Sequence, residues 1–428
     1  RSAVFAPFEK LGLVIVDEEH EGSYKEEDHR PHYNARDVAR TRCRLTGAAL
    51  VLGSATPDLC TYYKALQGEC THLHLTSRPN GAALPKVEIV DMRKELEARN
   101  FSVLSRALQQ ALVMTAAAGE QAIVLLNRRG YSTFVMCRDC GQTITCPHCA
   151  VAMVYHKKNE DLRCHYCGNT MPLPQECPNC HSRRIKYFGS GTQKAEEQLQ
   201  QLPEVRVLRM DQDSTVAKFA HADILRRFAD GAANVLIGTQ MVAKGHDIPN
   251  VTLVGVLAAD STLHLPDYRA SERAFSLLTQ AAGRAGRGDR PGHVIFQTYD
   301  PDNPILQLAM TQDYDTFAKR ELQERKNYFY PPFAQMLKLQ VVDKDEGAGL
   351  ALAQQVVFYL QSLKLQGKLE DLLIAGPFPS LVAKAYDLYR FNVLLKARDL
   401  RETKEALLNS EFKEKANLYF NVDPVSVI

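Results

Sequence analysis

Three features are missing from this sequence, and each absence narrows what the chain can be. No apolar run approaches the roughly 20 residues that a membrane-spanning helix needs, which argues against an integral membrane protein. The 52 Lys and Arg residues nearly balance the 50 Asp and Glu residues, so a DNA-binding surface would have to be local. The pattern G-x-x-x-x-G-K-[ST] occurs nowhere, which excludes a phosphate-binding loop of that type from the printed sequence.

The composition is that of a globular chain with a sizeable core. Hydrophobic residues make up 45% of the 428 residues and charged residues 24%. This length predicts about three domains. The opening letters "RSAVFAPF" are typical of mid-domain sequence, so we expect the chain to begin inside a domain.

Periodicity predicts two kinds of architecture. The apolar runs Leu11–Val16 and Ala48–Leu52 are typical of strands buried on both faces, as in a parallel sheet. After a link at Ser77–Pro85, strands alternate with amphipathic helices as far as Tyr299, which predicts a parallel α/β sheet. From about Arg325 the predicted order βαββαβ indicates a small ferredoxin-like α+β domain.

Cysteine is concentrated in one segment. Eight of the eleven cysteines form four C-x-x-C turns within 44 residues: Cys137/Cys140, Cys146/Cys149, Cys164/Cys167 and Cys177/Cys180. Such turns indicate metal ligands in a reducing cytoplasm rather than disulfides. Four turns supply two complete four-thiolate Zn²⁺ sites with no open ligand position, which favours structural over catalytic zinc.

The pairing of the turns has two solutions. A hairpin between Cys149 and Cys164 would bring the second and third turns together, with the first and fourth turns closing around them. We favour this nested arrangement. The sequential alternative pairs the first turn with the second across five residues. The histidines near the turns are expected at the surface and not as ligands: His148, His165 and His181.

An acidic motif follows the first apolar strand. Asp17-Glu18-Glu19-His20 stands where the carboxyl end of a parallel strand faces a ligand crevice. We expect Asp17 to hold Mg²⁺ through water. Glu18 is expected to orient and deprotonate the water that attacks a γ-phosphate. The alternative is a strand that ends in acids at a solvated edge.

A basic motif lies near the end of the predicted α/β region. The letters "QAAGRAGRGDRPG" carry Gln280, Arg284 and Arg287 on one helical surface. Guanidinium groups that close on a γ-phosphate stabilise the charge of the transition state. The alternative is an ordinary basic helix end.

The motifs together resemble a known family. In chain order, "DEEH", "GSATP", "GTQMVAKGHDIPNVTLV" and "QAAGRAGR" resemble motifs II, III, V and VI of superfamily 2 helicases. A double cysteine-rich insertion after "VLLNRRGY" is similar to that of the PriA family of bacterial replication-restart helicases (primosomal protein N′). The resemblance covers essentially the whole chain, and it supports the nested zinc pairing.

The resemblance implies an α/β fold with two RecA-like parallel-sheet helicase lobes, a double zinc-ribbon insertion and a C-terminal ferredoxin-like domain. The implied domains are the C-terminal part of lobe 1 (1–78), lobe 2 (79–135 and 188–324), the zinc module (136–187) and the C-terminal domain (325–428).

The resemblance also implies activity and partners. The activity is ATP-dependent 3′→5′ DNA unwinding at stalled or repaired forks, followed by primosome assembly. The cofactors are two Zn²⁺ per chain and Mg²⁺ with ATP, and the nucleotide contacts are Asp17, Glu18, His20, Arg284 and Arg287. The partners are branched and single-stranded DNA, single-stranded-DNA-binding protein and the primosomal proteins that load the replicative helicase. The location is the bacterial cytoplasm, at the nucleoid, away from membranes.

DNA contacts are predicted on two segments. The loop "EGSYKEEDHRPHYNARD" interleaves Tyr24 and Tyr33 with cations such as Arg36, so its rings can stack on bases while its cations hold phosphates. It resembles the aromatic-rich loop of related helicases. In motif V, Lys244 is expected to touch a phosphate on a turn after a strand.

One departure from the family pattern is the missing phosphate-binding loop. We therefore expect a chain that begins inside lobe 1 and does not hydrolyse ATP by itself, whereas the intact protein does. The alternative from another class is a non-catalytic zinc-ribbon scaffold that binds DNA and recruits replication proteins. A double-strand translocase that never separates strands is a third possibility.

Overall fold

The computed structural model describes residues 1–27, 32–75, 84–126, 135–137, 139–149, 151–156, 161–187, 192–210, 220–239, 248–286 and 290–427. In these ranges no helix combines the length and the apolar character that crossing a membrane requires.

The first lobe is a short parallel unit. Strands β1 (Leu13–Val16) and β2 (Ala49–Leu52) pair in parallel, helix α1 (Ala35–Thr46) joins them, and α2 (Leu59–Leu66) follows. The prediction that both faces of these strands are buried is wrong. Leu13 and Ile15 are 51% and 65% exposed. The reason is that the described sheet has two strands and α1 packs on one side of them.

The second lobe and its insertion follow. Their described elements, in chain order, are β3 (Lys86–Asp91), α3 (Met92–Glu97), α4 (Arg106–Ala117), β4 (Gln121–Leu126), β5 (Val135–Cys137), β6 (Val154–His156), β7 (Asp161–Arg163), β8 (Thr170–Pro172), β9 (Ile185–Tyr187), α5 (Thr192–Gln200), β10 (Val207–Met210), α6 (Ala220–Ala229), β11 (Val235–Gly238), β12 (Val251–Leu257), α7 (Ala270–Ala282) and β13 (His293–Thr298).

Six of these strands form one parallel sheet in the order β10-β11-β4-β12-β13-β3. Strands β4, β11 and β12 are buried along their whole length, as their near-continuous apolar sequences require. Helices cover both faces, because residues of α6 and α7 lie in one core cluster and residues of α4 and α5 in another. The predicted parallel α/β sheet is confirmed.

The C-terminal domain is antiparallel. Two helices lead into it, and the elements from there to the chain end are α8 (Pro304–Thr311), α9 (Tyr314–Asn327), β14 (Gln335–Asp343), α10 (Glu346–Leu365), β15 (Leu373–Ala385), β16 (Leu388–Ala397), α11 (Arg401–Leu408) and β17 (Leu418–Val422). The sheet order β15-β16-β14-β17 is that of a ferredoxin-like fold, with α10 and α11 contributing to its core. The predicted βαββαβ domain is confirmed.

Candidate functional site

The acidic motif forms a tight turn at the end of β1. The carboxylate Oδ1 of Asp17 accepts a hydrogen bond from the Glu18 N–H at 2.9 Å, and Glu18 has a left-handed φ of 46°. A Cβ added to Gly53 would lie 3.8 Å from Asp17 Oδ1, so the small residue after β2 leaves room beside this carboxylate. Asp17 is exposed at the carboxyl edge of the sheet, where a cation could reach it.

Gln280 on α7 reaches this turn from the second lobe. Its Nε2 lies 3.0 Å from His20 Nε2 and 3.5 Å from Glu18 Oε2. Because an amide nitrogen can only donate, His20 Nε2 accepts, and a neutral ring then carries its proton on Nδ1. That Nδ1 lies 2.7 Å from Ser54 Oγ. The structure thus brings together the acidic motif, the "GSATP" segment and the "QAAGRAGR" segment.

Of the two predicted arginines, the structure describes one. Arg284 follows Gln280 by four residues, just beyond the end of α7, and is partly buried. Arg287 and Lys244 lie outside the described residues. The convergence of Asp17, Arg284 and Arg287 on one nucleotide therefore stays a prediction.

The aromatic residues predicted to contact DNA lie close to the acidic motif. The Tyr24 hydroxyl donates to the Asp17 carbonyl oxygen at 2.6 Å. The Tyr33 ring packs edge-on against Phe5, with the ring centroids 5.0 Å apart. Their contact with bases stays a prediction. A displacement of Tyr24 would move the Asp17 backbone, because the two are joined by this hydrogen bond.

Arg36 has partners inside the protein. Its Nη1 lies 2.9 Å from Glu19 Oε2 and 3.5 Å from Asp58 Oδ2, and its side chain is 15% exposed. Its role as a DNA contact stays a prediction. Roles for Glu19 and Asp58 were not predicted from the sequence. The available signal was that one is the third acid of "DEEH" and the other follows "GSATP" directly.

The loop after the acidic motif also contacts the C-terminal strand. Lys25 Nζ donates to the Val422 carbonyl oxygen at 2.6 Å. Glu27 Oε1 accepts from Asn421 Nδ2 at 2.8 Å and from the Val425 N–H at 3.0 Å. The segment predicted to contact DNA is therefore tied to the last strand of the chain.

The eight cysteines form two clusters. In each, the sulfur atoms lie within 4.8 Å of one another, and the members are Cys137, Cys140, Cys177 and Cys180 (the outer cluster) and Cys146, Cys149, Cys164 and Cys167 (the inner cluster). Sulfur pairs lie 3.5 to 3.6 Å apart across the turns. Tetrahedral zinc with Zn–S bonds of about 2.3 Å places its sulfurs about 3.8 Å apart, so both clusters fit Zn²⁺.

The grouping is the nested one. Strands β6 and β7 form an antiparallel hairpin between the turns of the inner cluster, and β5 pairs with β9 beside the outer cluster. The prediction that His165 lies at the surface is wrong. It is 3% exposed, with its ring nitrogens 3.0 Å from His156 Nε2 and 3.2 Å from the Pro379 carbonyl oxygen. Pro379 belongs to the C-terminal domain, whose packing on the module buries this histidine. His148 and His181 are exposed, as predicted.

The clusters differ in their surroundings. Cys146 and Cys164 of the inner cluster share a hydrophobic core with Tyr330, Met336 and Phe378, which precede or belong to the C-terminal domain. Cys180 of the outer cluster is exposed. The inner cluster therefore lies at a junction between the module and the C-terminal domain, whereas the outer cluster reaches solvent.

Three family models match parts of the chain. They are the PriA DNA helicase Cys-rich region domain at residues 146–172, the helicase conserved C-terminal domain at 173–289 and the primosomal protein N C-terminal domain at 326–425.

Curated relatives match across nearly the whole chain. The replication restart protein PriA of Bacillus subtilis is 48% identical over 397 residues, which cover 92% of this chain and 49% of the relative. The PriA proteins of Treponema pallidum and Haemophilus influenzae are 40% and 35% identical, cover 100% and 99% of this chain, and are themselves covered to 64% and 58%. The chain spans about half to two thirds of the length of these relatives.

Proposed function

Because this chain belongs to the PriA family of replication restart proteins, we propose that the full-length protein is an ATP-dependent 3′→5′ DNA helicase. It recognises and unwinds stalled or repaired replication forks and initiates primosome assembly. Its partners are branched and single-stranded DNA, single-stranded-DNA-binding protein and the proteins that load the replicative helicase. It works in the bacterial cytoplasm, at the nucleoid.

The observation that carries this proposal is the contact of Gln280 with His20 and Glu18. It joins a helix of the second lobe to the acidic motif of the first. A motor of this class needs such a contact, because nucleotide chemistry in the cleft must change how the lobes sit on DNA.

Each residue of the motif then has a proposed role. Magnesium bound with ATP supplies charge neutralisation at the phosphates. Asp17 offers the exposed carboxylate that would hold this ion through water, and Glu18 orients the attacking water and accepts its proton. His20 connects Gln280 to Ser54 through its two ring nitrogens. Arg284 and Arg287 stabilise the charge of the transition state.

The remaining parts supply DNA contact. We propose that Tyr24 and Tyr33 stack on unpaired bases, and that Arg36 and Lys244 hold phosphates. Two bound Zn²⁺ ions hold the cysteine module in shape beside the motor.

The decisive experiment is Glu18→Gln in the full-length protein. We expect ATP hydrolysis stimulated by forked DNA to fall by about a thousandfold, because the water loses its base, while fork binding stays within about threefold. Hydrolysis and fluorescence-anisotropy titrations measure the two quantities.

Asp37→Asn, an exposed acid on α1 of the same lobe, is the matched control and should retain most activity. Normal turnover of Glu18→Gln would show that the base is misassigned. A full-length protein that binds forks but shows no DNA-dependent hydrolysis would support the non-catalytic scaffold instead.

A further inference from the structure

A row of buried charges crosses between the two lobes. Its members alternate in sign, their side chains are at most 15% exposed, and we call them the interlobe ion chain: Glu19, Arg36, Asp58, Arg269, Glu272, Arg325 and Glu321.

In the first lobe, Glu19 ties the acidic motif to the start of α2. Its Oε1 accepts from the Asp58 N–H at 2.6 Å, and its Oε2 accepts from Arg36 at 2.9 Å and from the Thr61 hydroxyl at 3.1 Å. Every one of these partners is supplied by α1 or by the first turn of α2 and the residue before it. The Glu19 carboxylate is therefore held by partners inside the first lobe, and these contacts fix the backbone next to Glu18.

Two links of the interlobe ion chain cross from the first lobe to the second. Asp58 Oδ2 accepts from Arg269 Nη2 at 2.6 Å, and the Leu59 N–H donates to Glu272 Oε1 at 2.9 Å. Arg269 also donates from Nε to Glu272 Oε2 at 2.8 Å. One guanidinium thus holds a carboxylate from each lobe.

The interlobe ion chain ends on α9. Arg325 Nη2 donates to Glu272 Oε2 at 2.9 Å, and Arg325 Nε lies 3.4 Å from Glu321 Oε1. Arg325 is 2% exposed, so its charge is compensated by these carboxylates and not by water. The helix that precedes the C-terminal domain is thereby joined to the same contact.

The interlobe ion chain lies close to the proposed hydrolysis site. Glu272 and Gln280 lie on one helix, α7, eight residues or about 12 Å apart, and Glu19 is the neighbour of Glu18. We propose that Asp58 and Arg269 are positioning residues that set the approach of Gln280 to Glu18 and His20. This inference rests on the proposed function, because it assigns a role within that hydrolysis site.

The test is a double-mutant cycle with Asp58→Asn and Arg269→Gln in the full-length protein. Each single variant is expected to lower the kcat of DNA-stimulated ATP hydrolysis by about tenfold or more, with the KM for ATP within about threefold. The double variant is expected to lose no more than one single variant, because either substitution alone already breaks the link between Asp58 and Arg269. Arg269→Lys, which keeps the charge, should lose less than Arg269→Gln.

A second readout is independent of activity. Fluorophores on non-natural amino acids at Leu45 in α1 and Met114 in α4, both exposed, report the distance between the lobes by energy transfer. The distance distribution should broaden in each single variant and to a similar extent in the double variant, because all three lack the link between Asp58 and Arg269. If these variants do not fold, Arg269→Lys, which keeps the charge but not the planar guanidinium, carries the test and must broaden the distribution.

Arg320→Gln is the matched control, because Arg320 lies on α9 with Arg325 but is exposed and is not a member of the interlobe ion chain. It should leave kcat and the interlobe distance unchanged. Single effects that multiply in the double variant, or unchanged kcat and distance in the single variants, would overturn the inference. A wild-type protein without ATP hydrolysis would instead overturn the proposed function, and the distance measurement would still decide on the ion chain.

Discussion

At the residue scale, the buried carboxylate of Glu272 shows how the lobes are held. Burial by itself would raise the pKa of this carboxyl, but Arg269 and Arg325 overcome that effect and hold the pKa below its ordinary value. Burial likewise opposes ionisation of Asp58, and Arg269 again holds the pKa low. Both acids are therefore charged in the folded protein, and their ionisation stabilises the folded state.

We predict that Glu272→Gln lowers the free energy of unfolding at pH 7 by about 3 kcal/mol, because Arg269 and Arg325 lose a buried counter-charge. A carboxyl whose folded pKa is depressed contributes its full stability above the unfolded pKa, near 4.3, and loses it as the pH falls. The difference between wild type and variant should therefore be constant from about pH 7 to 5 and shrink below about pH 4.3.

Thermal unfolding of both proteins across this range measures the difference. The zinc sites also weaken in acid, but they are common to both proteins and cancel. Glu324→Gln, an exposed acid on the same helix as Arg325, should change stability by less than about 0.5 kcal/mol. A difference that grows in acid would contradict the assigned ionisation of Glu272.

The sequence predicts the contacts of residues whose partners are close in the chain. The zinc turns are local, and the hairpin that joins them is short, so the nested grouping could be argued from spacing. Arg269 and Asp58 lie 211 positions apart, and no local pattern marks their contact. His165 was misplaced for the same reason, since the chain that buries it lies 214 positions away.

At the scale of elements, the two zinc clusters sit in different environments. The inner cluster is continuous with a core that includes Tyr330 and Phe378, and the Tyr330 hydroxyl donates to the Cys149 carbonyl oxygen at 3.3 Å. The outer cluster is held by the short β5–β9 pair, and Cys180 faces solvent. Loss of metal should therefore have different consequences at the two clusters.

We predict that Cys164→Ser loosens the C-terminal domain, because the inner cluster shares a core with that domain, whereas Cys180→Ser does not. Each variant should bind about one zinc fewer than wild type, measured with a colorimetric chelator. Limited proteolysis should release a fragment beginning near Tyr330 from the Cys164→Ser protein alone. Equal protection of that boundary in both variants would show that the clusters are equivalent.

Most strands and helices were predicted from periodicity, since apolar runs and amphipathic alternation leave a clear pattern. Strand β3 was missed because its sequence, "KVEIVD", is short and alternates polar with apolar residues at the sheet edge. Helices α8 and α9 were also missed. The mean polarity of α9 hides the buried Phe317, Leu322 and Arg325 on one of its faces.

At the scale of the whole molecule, the C-terminal domain contacts the first lobe. Residues 421–425 of the C-terminal domain contact Lys25 and Glu27 in the loop after the acidic motif. Val425 also accepts a hydrogen bond from Arg273 of the second lobe, at 2.6 Å. The end of the chain thus touches both lobes, which composition and periodicity could not reveal.

We predict that Glu27→Ala increases amide hydrogen exchange in residues 421–425 and in the loop around Lys25, because the Val425 N–H loses its acceptor. The thermal midpoint should fall by about 2–4 °C, since two hydrogen bonds are lost and the buried Lys25 loses a nearby negative charge. Mass-spectrometric exchange measures the first quantity, and Glu9→Ala, an exposed acid before β1, is the control. Unchanged exchange at residue 425 would show that this contact does not hold the tail.

The edge strand β3 has a consequence for synthesis on the ribosome. Its described neighbour β13 follows about 200 positions later in the chain, with Lys86 opposite His293. At about 5–20 residues per second, the nascent strand waits roughly 10–40 s for that neighbour. All eight cysteines have been translated well before then, so metal can be captured while this sheet is still unfinished. The order of synthesis therefore allows metal binding to precede completion of the parallel sheet.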